Sequence, residues 1–272
     1  MKVNLGGVQE TLLIPLWSRA KLGKENNSIL VDLRAIDIVE KLQYDFSKID
    51  KYFPYFLHLV NLVRAKMLEN MINEYLLNHP RATIINLGAG LDTTFYRVDN
   101  GLLNWYDIDL PDVMEIRKKL IPETDRSRYI EESIFEMQWI KSINEIRDGL
   151  LFISGGVLEY FNKNVVKKFF SDLADHFPES EIAFNAIRNN IISSIFNYRL
   201  MRQLGMKSAT MKWKFSSPEK IERWDKRIVI LEHYPIFSKI NTEKNWNKNV
   251  IRTMKLYDRH KIINIVHLKF MK

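Results

Sequence analysis

The sequence contains no cysteine, and this absence excludes several kinds of protein at once. Without thiols the chain has no disulfide scaffold, no thiolate metal site and no cysteine nucleophile. Internal repeats, low-complexity tracts and Pro/Gly/Ser-rich linkers are absent as well. We therefore predict one elaborated domain over residues 1–272.

Long hydrophobic runs are missing too. No stretch approaches the roughly 20 apolar residues that span a bilayer, and the first ten residues lack the apolar core of a signal peptide. We expect a cytoplasmic protein without a membrane partner. The six histidines lie in unrelated contexts with no H-E-x-x-H pattern, and no G-x-S-x-G elbow is present, so neither a metal site nor a serine hydrolase is predicted.

The charge balance is basic, with 41 Lys and Arg against 33 Asp and Glu and a formal net charge of +8. Such a surface attracts anionic partners, of which nucleic acid is the strongest candidate. The basic residues are dispersed, however, and no nucleic-acid-binding module is visible. We favour a solvated basic surface and expect no nucleic-acid partner.

The chain changes pattern near residue 80. Before it, apolar residues at helical spacing predict helices over Thr11–Leu22, Ile29–Leu42 and Phe53–Leu77. After it, short apolar runs alternate with helices predicted over Pro111–Leu120 and Asn162–Ala174. The predicted strands are Thr83–Leu87, Leu103–Ile108, Arg128–Ile130, Leu150–Ser154, Glu181–Ala186, Arg227–Leu231 and Ile263–Phe270. This alternation predicts an α/β fold, with a seven-stranded mostly parallel sheet, helices on both faces and an N-terminal helical extension over residues 1–80.

Residues 187–226 are long for a simple crossover and rich in large side chains such as Phe196, Tyr198 and Trp213. Two interpretations stay open for this segment. It is either a helical pair that packs on the core or an inserted cap over a pocket at the carboxyl ends of the strands, where open parallel sheets bind ligands.

The most informative segment is the turn Gly88-Ala89-Gly90 after the first predicted strand. Glycines let the backbone turn tightly and approach a ligand closely. Asp109, about 20 residues on, ends the second strand, where an acid accepts hydrogen bonds from ribose hydroxyls. A dinucleotide site usually has a third glycine, and that place is held by Thr93, so the spacing favours S-adenosylmethionine (SAM) over NAD. A metal–nucleotide site on Asp107 and Asp109 is discounted, because Asp109 already has a role.

Six segments of the chain together carry a set of motifs. They are Glu10–Ala20, Tyr44–Phe46, Arg64, Asn86–Arg97, Tyr106–Pro111 and Gly156–Phe161. Together they resemble the leucine carboxyl methyltransferase-like, or tetracenomycin-type polyketide, O-methyltransferases, from about Glu10 to Glu232. The resemblance implies a class I SAM-dependent methyltransferase (Rossmann-like) fold with seven strands, the last antiparallel, an N-terminal helical extension and an inserted cap.

The resemblance also implies a set of cofactor-binding residues. Arg64 matches the basic residue that holds the SAM carboxylate, as a guanidinium does well, and Asp109 matches the ribose-binding acid. The other implied positions are Gly88, Ala89 and Gly90 beside the methionine and ribose, and Ser133 and Ile134 beside the adenine. Serine replaces the family's acid at 133. Gly155 is a second departure, because the carboxyl methyltransferase branch has glutamate there beside the methionine amine. Backbone carbonyls or another acid must then recognise the amine, which favours the small-molecule branch.

The acceptor pocket is expected beyond Tyr160. Tyr160 and Arg188 are the candidates for catalysis, and Arg19, Tyr198 and Trp213 those for substrate binding. The expected function is a SAM-dependent O-methyltransferase acting on a small hydroxyl- or carboxyl-bearing molecule. Two alternatives stay open: an NAD(P)-dependent oxidoreductase, and a non-catalytic binding module with a degenerate cofactor pocket.

Overall fold

A computed structural model describes residues 9–26, 28–188, 191–206, 211–213, 215–241 and 246–272, except for the side chains of residues 9, 10 and 191–197. These ranges form ten α-helices and seven strands. In chain order the elements are α1 (Leu13–Gly23), α2 (Leu33–Lys41), α3 (Ser47–Tyr52), α4 (Tyr55–Asn78), β1 (Thr83–Leu87), α5 (Phe95–Val98), β2 (Asn104–Asp109), α6 (Pro111–Leu120), β3 (Ser127–Glu131), β4 (Leu150–Ser154), α7 (Lys163–His176), β5 (Glu181–Ile187), α8 (Ile191–Leu204), α9 (Glu219–Glu222), β6 (Ile228–Pro235), α10 (Lys248–Arg259) and β7 (Ile263–Phe270). Within the described ranges no helix has the length and hydropathy needed to cross a membrane.

The seven strands form one sheet in the order β3-β2-β1-β4-β5-β7-β6. Strands β1 to β5 pair in parallel, and β7 runs antiparallel between β5 and β6. All five residues of β1 and all five of β4 are buried, as expected for central parallel strands covered on both faces. The predicted α/β architecture, including the antiparallel last strand, is confirmed.

Alternation along the central strands divides the core into two layers. Ile84 of β1 and Leu151 of β4 face a layer built on the long helix α4. Their neighbours Ile85 and Phe152 face the opposite layer, which contains α7. Successive strand residues point to opposite faces, so each central strand supplies both layers. A third apolar cluster joins residues of α1, α2 and α3 to Leu200 and Leu204 of α8.

Two differences from the predicted elements are informative. Helix α2 begins at Leu33 rather than Ile29, because the Asp32 carboxylate accepts a hydrogen bond from the Ala35 amide at 2.9 Å and caps the helix. Helix α10 was not predicted, although Val250, Met254 and Tyr257 recur at helical spacing and Asn247 caps its first turn.

A buried carboxylate connects the helical extension to the loop after β1. The Asp32 side chain is 1% exposed, and its Oδ2 atom accepts from Arg19 Nε at 2.9 Å and from Thr93 Oγ1 at 2.6 Å. Arg97 Nη1 lies 2.9 Å from the same oxygen. Burial alone raises the pKa of Asp32, but the two guanidinium groups and the hydrogen bonds from Thr93 and Ala35 together outweigh it and leave that pKa below its ordinary value. The charge is therefore buried with full compensation.

We expect Asp32→Ala to lower the free energy of unfolding by about 3–5 kcal/mol, because it leaves Arg19 without its anion and Arg97 with Glu69 alone. Urea denaturation measures the loss. The matched control is Asp37→Ala in the same helix, which removes an exposed ion pair with Lys41 and should cost about 1 kcal/mol or less. Equal losses in the two variants contradict the prediction.

The same contribution should depend on pH. The folded-state pKa of Asp32 lies below its ordinary value of 3.8, so the stabilisation is complete above that value and is lost as the pH falls through the folded-state pKa. The difference in unfolding free energy between the wild type and Asp32→Asn should therefore shrink below about pH 4.

Candidate active site

A cavity of about 660 Å³ opens at the carboxyl ends of β1, β2 and β4. Its volume lies within the usual range for small-molecule sites, about 300–1,000 Å³. Strand β1 has β2 on one side and β4 on the other, so the cavity lies where the strand order reverses, the place at which open parallel sheets bind ligands. Helix α4 forms one wall with Leu57, Asn61, Arg64 and Leu68, which share a helical face.

The glycine turn after β1 forms another part of the wall. Gly88 and Gly90 have positive φ angles of 69° and 51°, which favour glycine. A Cβ atom at Gly88 would lie 2.5 Å from Val157 Cγ2, and one at Gly90 would lie 2.9 Å from Leu12 Cδ2. Both conformation and space therefore require glycine at these two positions.

Two arginines hold the carbonyl groups of this turn. Arg117 of α6 donates through Nη1 to the Gly90 oxygen at 2.9 Å and to the Asp92 oxygen at 2.7 Å. Arg19 of α1 donates through Nη2 to the Leu91 oxygen between them, at 2.8 Å. Because all three carbonyls accept from guanidinium groups, this segment is fixed before any ligand arrives.

Asp109 at the end of β2 faces the turn. Its Oδ2 accepts from the Gly90 amide at 2.7 Å and its Oδ1 from the Leu110 amide at 2.8 Å. Each carboxylate oxygen keeps a further lone pair, so Asp109 is able to accept from a ligand as well. Burial raises the pKa of Asp109, and the two amide donors oppose that rise.

Asp107 lies on the same strand but does not reach the cavity. It is fully buried and accepts from Arg117 Nη2 at 2.6 Å and from the Trp105 and Asn86 side chains at 2.9 Å each. Its carboxylate anchors the arginine that holds the turn.

The described ranges contain no group of three or more potential metal ligands.

Arg64 and Glu159 bring opposite charges to the cavity. The Arg64 guanidinium lies against Gly156, where a Cβ would be 2.6 Å from Nη1. Glu159, in the 3-10 turn Leu158–Tyr160, is 4% exposed, and its Oε2 has no hydrogen-bond partner in the part of the chain that the structure describes. Burial raises the pKa of Glu159, and the Arg64 charge opposes the rise.

Sequence reasoning assigned no role to several polar residues of the lining, among them Glu132, Glu159 and Asn185. Glu159 stands inside the motif Gly156–Phe161, where a single acid in an apolar segment was the available signal. Glu132 directly precedes the predicted Ser133, and its Oε2 is also buried without a partner among the described residues. Asn185 is the one polar residue in the interior of the apolar strand β5.

Most of the predicted site residues line this one cavity. They are Arg19, Arg64, Gly88, Ala89, Gly90, Asp109, Ser133, Ile134, Gly155 and Tyr160. Arg19, a candidate for substrate binding, lines the cavity and also pairs with Asp32. Burial, with the nearby Glu159 charge, raises the pKa of Tyr160, so its phenol stays protonated at neutral pH.

The structure corrects three predicted residues, none of which lines the cavity as described. Tyr198 is 53% exposed on α8. Trp213 is 3% exposed and packs against the rings of Phe184, Phe215 and Trp224 in the core. Arg188 is exposed, and its amide donates to the Ile262 oxygen. The sequence alone does not show whether a large side chain after the fifth strand lies in the core, on the surface or in a pocket.

The segment 187–226 combines the two roles left open for it. Leu200, Met201 and Met211 line the cavity, whereas Trp213 and Phe215 belong to the core. Residues 189–190, 207–210 and 214 of this segment, and the Phe196 side chain, lie outside the described residues. Its limits as a cap stay a prediction.

Comparison with known proteins gives the following relatives. The leucine carboxyl methyltransferase family model matches residues 26–134. The tetracenomycin polyketide synthesis O-methyltransferase TcmP of Streptomyces glaucescens is 29% identical over 221 residues, 81% of this chain and 80% of TcmP. The S-adenosyl-L-methionine-dependent methyltransferase dpfgK of Gibberella zeae is 28% identical over 257 residues, 86% of each chain.

Solved structures agree on the fold. The plantazolicin methyltransferase BpumL, crystallised with a triazolic desmethylPZN analog and SAH, superposes with a TM-score of 0.51 at 16% identity, over 97% of this chain and 100% of that one. The family resemblance drawn from the motifs is thereby confirmed by the sequence relatives, and the class I methyltransferase fold by the structure.

The glycine turn generates a stability prediction. Gly88→Ala should lower the free energy of unfolding by about 2–5 kcal/mol, because it adds left-handed backbone strain of about 1–2 kcal/mol and overpacking of about 1–3 kcal/mol against Val157. Gly101→Ala is the control. Its φ of 79° carries the same strain, but nothing lies within 4 Å of the added Cβ. Guanidinium denaturation is measured for both single variants and for the double variant Gly88→Ala/Val157→Ala. If the clash with Val157 contributes, the double variant regains part of the stability that Gly88→Ala loses. No recovery contradicts the steric part of the prediction.

Proposed function

We propose, from the premise that the chain is a SAM-dependent methyltransferase related to the leucine carboxyl methyltransferases, that it methylates an oxygen atom of a small, largely apolar molecule. The observation that carries the proposal is the shared cavity. The glycine turn and Asp109 border it together with a wall of apolar side chains from α4 and α8.

The residues present fit SAM better than a dinucleotide. Asp109 and Arg64 both line the cavity, where Asp109 would accept from the ribose hydroxyls and Arg64 would pair with the carboxylate of the amino-acid end. Thr93, at the place of the third dinucleotide glycine, is buried and donates to Asp32. The following helix α5 has four residues, so no extended helix N-terminus points at a pyrophosphate.

The acceptor side of the cavity is apolar. Its lining includes Phe53, Leu57, Val60, Leu200, Met201, Met211 and Tyr257. Methionines adapt their shape to a bound molecule, and apolar side chains favour a ring system or other hydrophobic body. This supports a hydrophobic small-molecule acceptor in which a hydroxyl or carboxyl group is the polar part.

The chemistry is an in-line displacement, for which SAM supplies a methyl group on a positively charged sulfur. The acceptor oxygen forms the new C–O bond, the C–S electron pair stays on sulfur, and a hydroxyl acceptor releases its proton. The chain's contribution is to bind and orient the two partners. Because Tyr160 stays protonated, its hydroxyl orients the acceptor oxygen by a hydrogen bond and does not act as the base.

The kind of acceptor oxygen is readable from the product. We expect the protein, given SAM with a labelled methyl group and a pool of hydrophobic phenols and carboxylic acids, to form labelled organic-soluble product. Mild alkali releases label from a methyl ester as methanol and leaves a methyl ether intact. Label on nitrogen or carbon, identified by mass spectrometry, contradicts O-methylation.

Cofactor binding is tested by calorimetric titration with S-adenosylhomocysteine (SAH). Asp109→Asn should weaken SAH binding by roughly 10- to 100-fold, the worth of a hydrogen bond to a charged group. Glu115→Gln on the exposed face of α6 is the control and should leave SAH affinity unchanged. Heat with NAD in place of SAH favours the oxidoreductase, and heat with neither favours a non-catalytic module.

A further inference from the structure

Among the described residues, few donors reach the buried carboxyl group of Glu159. Its Oε1 accepts one long hydrogen bond, at 3.4 Å, from Asn185 Nδ2. Its Oε2 accepts none from the described residues. Burying a carboxylate costs several kcal/mol unless it is paired and hydrogen-bonded. Compare Asp32 and Asp107, whose carboxylates each have three or more donors.

Arg64 is the complementary case. It is the largest opposing charge on Glu159, yet no nitrogen–oxygen pair between the two residues comes within 4.0 Å. Within the described ranges the guanidinium makes no ion pair or hydrogen bond. Both residues line the same cavity, as does Asn185. A cation and an anion therefore flank one part of the cavity without closing on each other.

Two glycines lie beside Arg64 and Glu159. Gly155 and Gly156 directly follow β4 and line the cavity, and a Cβ at Gly156 would run into the Arg64 guanidinium. The Gly156 amide donates to Asn185 Oδ1 at 2.6 Å, and the Asn185 amide nitrogen in turn reaches Glu159. Asn185 thus ties the glycine backbone and the carboxylate into one rigid unit. The site has the charge pattern for a group that carries both a carboxylate and an ammonium.

We propose that Glu159 binds the α-ammonium group of the methyl donor while Arg64 pairs with its carboxylate. Glu159 thereby supplies, from four residues further along the chain, the negative charge that Gly155 does not provide. The inference rests on the proposed function, since it assigns the amino-acid end of SAM to these two residues. It makes Glu159 a specificity residue that distinguishes SAM and SAH from nucleosides without an amino-acid end.

The test compares two ligands that differ only in that end. We expect Glu159→Gln to weaken SAH binding roughly 10- to 100-fold, as for loss of a hydrogen bond to a charged group. Binding of 5′-methylthioadenosine, which keeps the adenine, ribose and sulfur, should change less than about twofold, because it makes no contact that depends on the ammonium. Glu132→Gln is the matched control, since it changes the other unpaired acid of the cavity. Any loss in that control should fall equally on both ligands.

A second measurement needs only the wild-type protein. The SAH analogue whose α-amino group is replaced by hydrogen should bind it roughly 10- to 100-fold more weakly than SAH does. Glu159→Asp, which shortens the side chain by one methylene, should show the same selective loss in smaller measure. These arms keep the inference testable even where Glu159→Gln folds poorly.

The outcomes separate the inference from the proposed function. Wild-type protein that binds neither SAH nor 5′-methylthioadenosine overturns the proposed function itself. Normal SAH affinity in Glu159→Gln with a reduced kcat overturns the inference, and shows instead that Glu159 serves the acceptor. Equal loss of both ligands also overturns it, because the claim is selectivity for the amino-acid end.

Discussion

Hydrogen bonds from two arginines to three successive backbone carbonyls are the constraint on which the site depends. Arg117 holds Gly90 and Asp92, and Arg19 holds Leu91 between them. These donors come from different parts of the chain, one from α6 beside the sheet and the other from the helical extension. A backbone segment held at three successive carbonyls has little freedom to collapse, so the cavity above it persists without a ligand. The glycines make the turn possible, and the arginines make it rigid.

The electrostatics of the site follow from which charges are compensated. Arg19 and Arg97 are balanced by Asp32 and by Glu69 of α4 between the extension and the turn, and Arg117 pairs with Asp107 beneath it. Buried charges in these groups support the fold because each has an ion-pair partner. Among the described residues Arg64 has no ion pair or hydrogen bond and Glu159 accepts only one long hydrogen bond, and both line the cavity. A buried charged group without a partner in the protein indicates a binding site for a ligand group of opposite charge.

Sequence reasoning succeeded where a local pattern determines the outcome. Strands β1, β4 and β7 and helix α6 have the predicted limits, because apolar β-branched runs and a first-turn proline are local signals. It failed where a property depends on distant partners. The pairing of Asp32 with Arg19 and Arg97 joins residues far apart in the chain, so the sequence did not predict the structural role of Arg19. Trp213 was misassigned because an aromatic side chain has the same sequence pattern in a core as in a pocket. Glu159 lies in the motif Gly156–Phe161 but has no predicted role, because its lack of hydrogen-bond donors is visible only in the folded chain.

The helical extension connects the two halves of the proposed reaction. Helix α4 lines the cavity with Arg64, which we propose for the methyl donor, and with the apolar Leu57 on the same face. Arg19 of α1 lines the cavity and at the same time holds the Leu91 carbonyl of the glycine turn. Under the proposed function, an acceptor in contact with α1 would act on the turn through Arg19, and the donor would act on α4 through Arg64. Since in-line transfer depends on alignment within a fraction of an ångström, a wall shared by both partners orients them relative to each other more directly than two independent sites would.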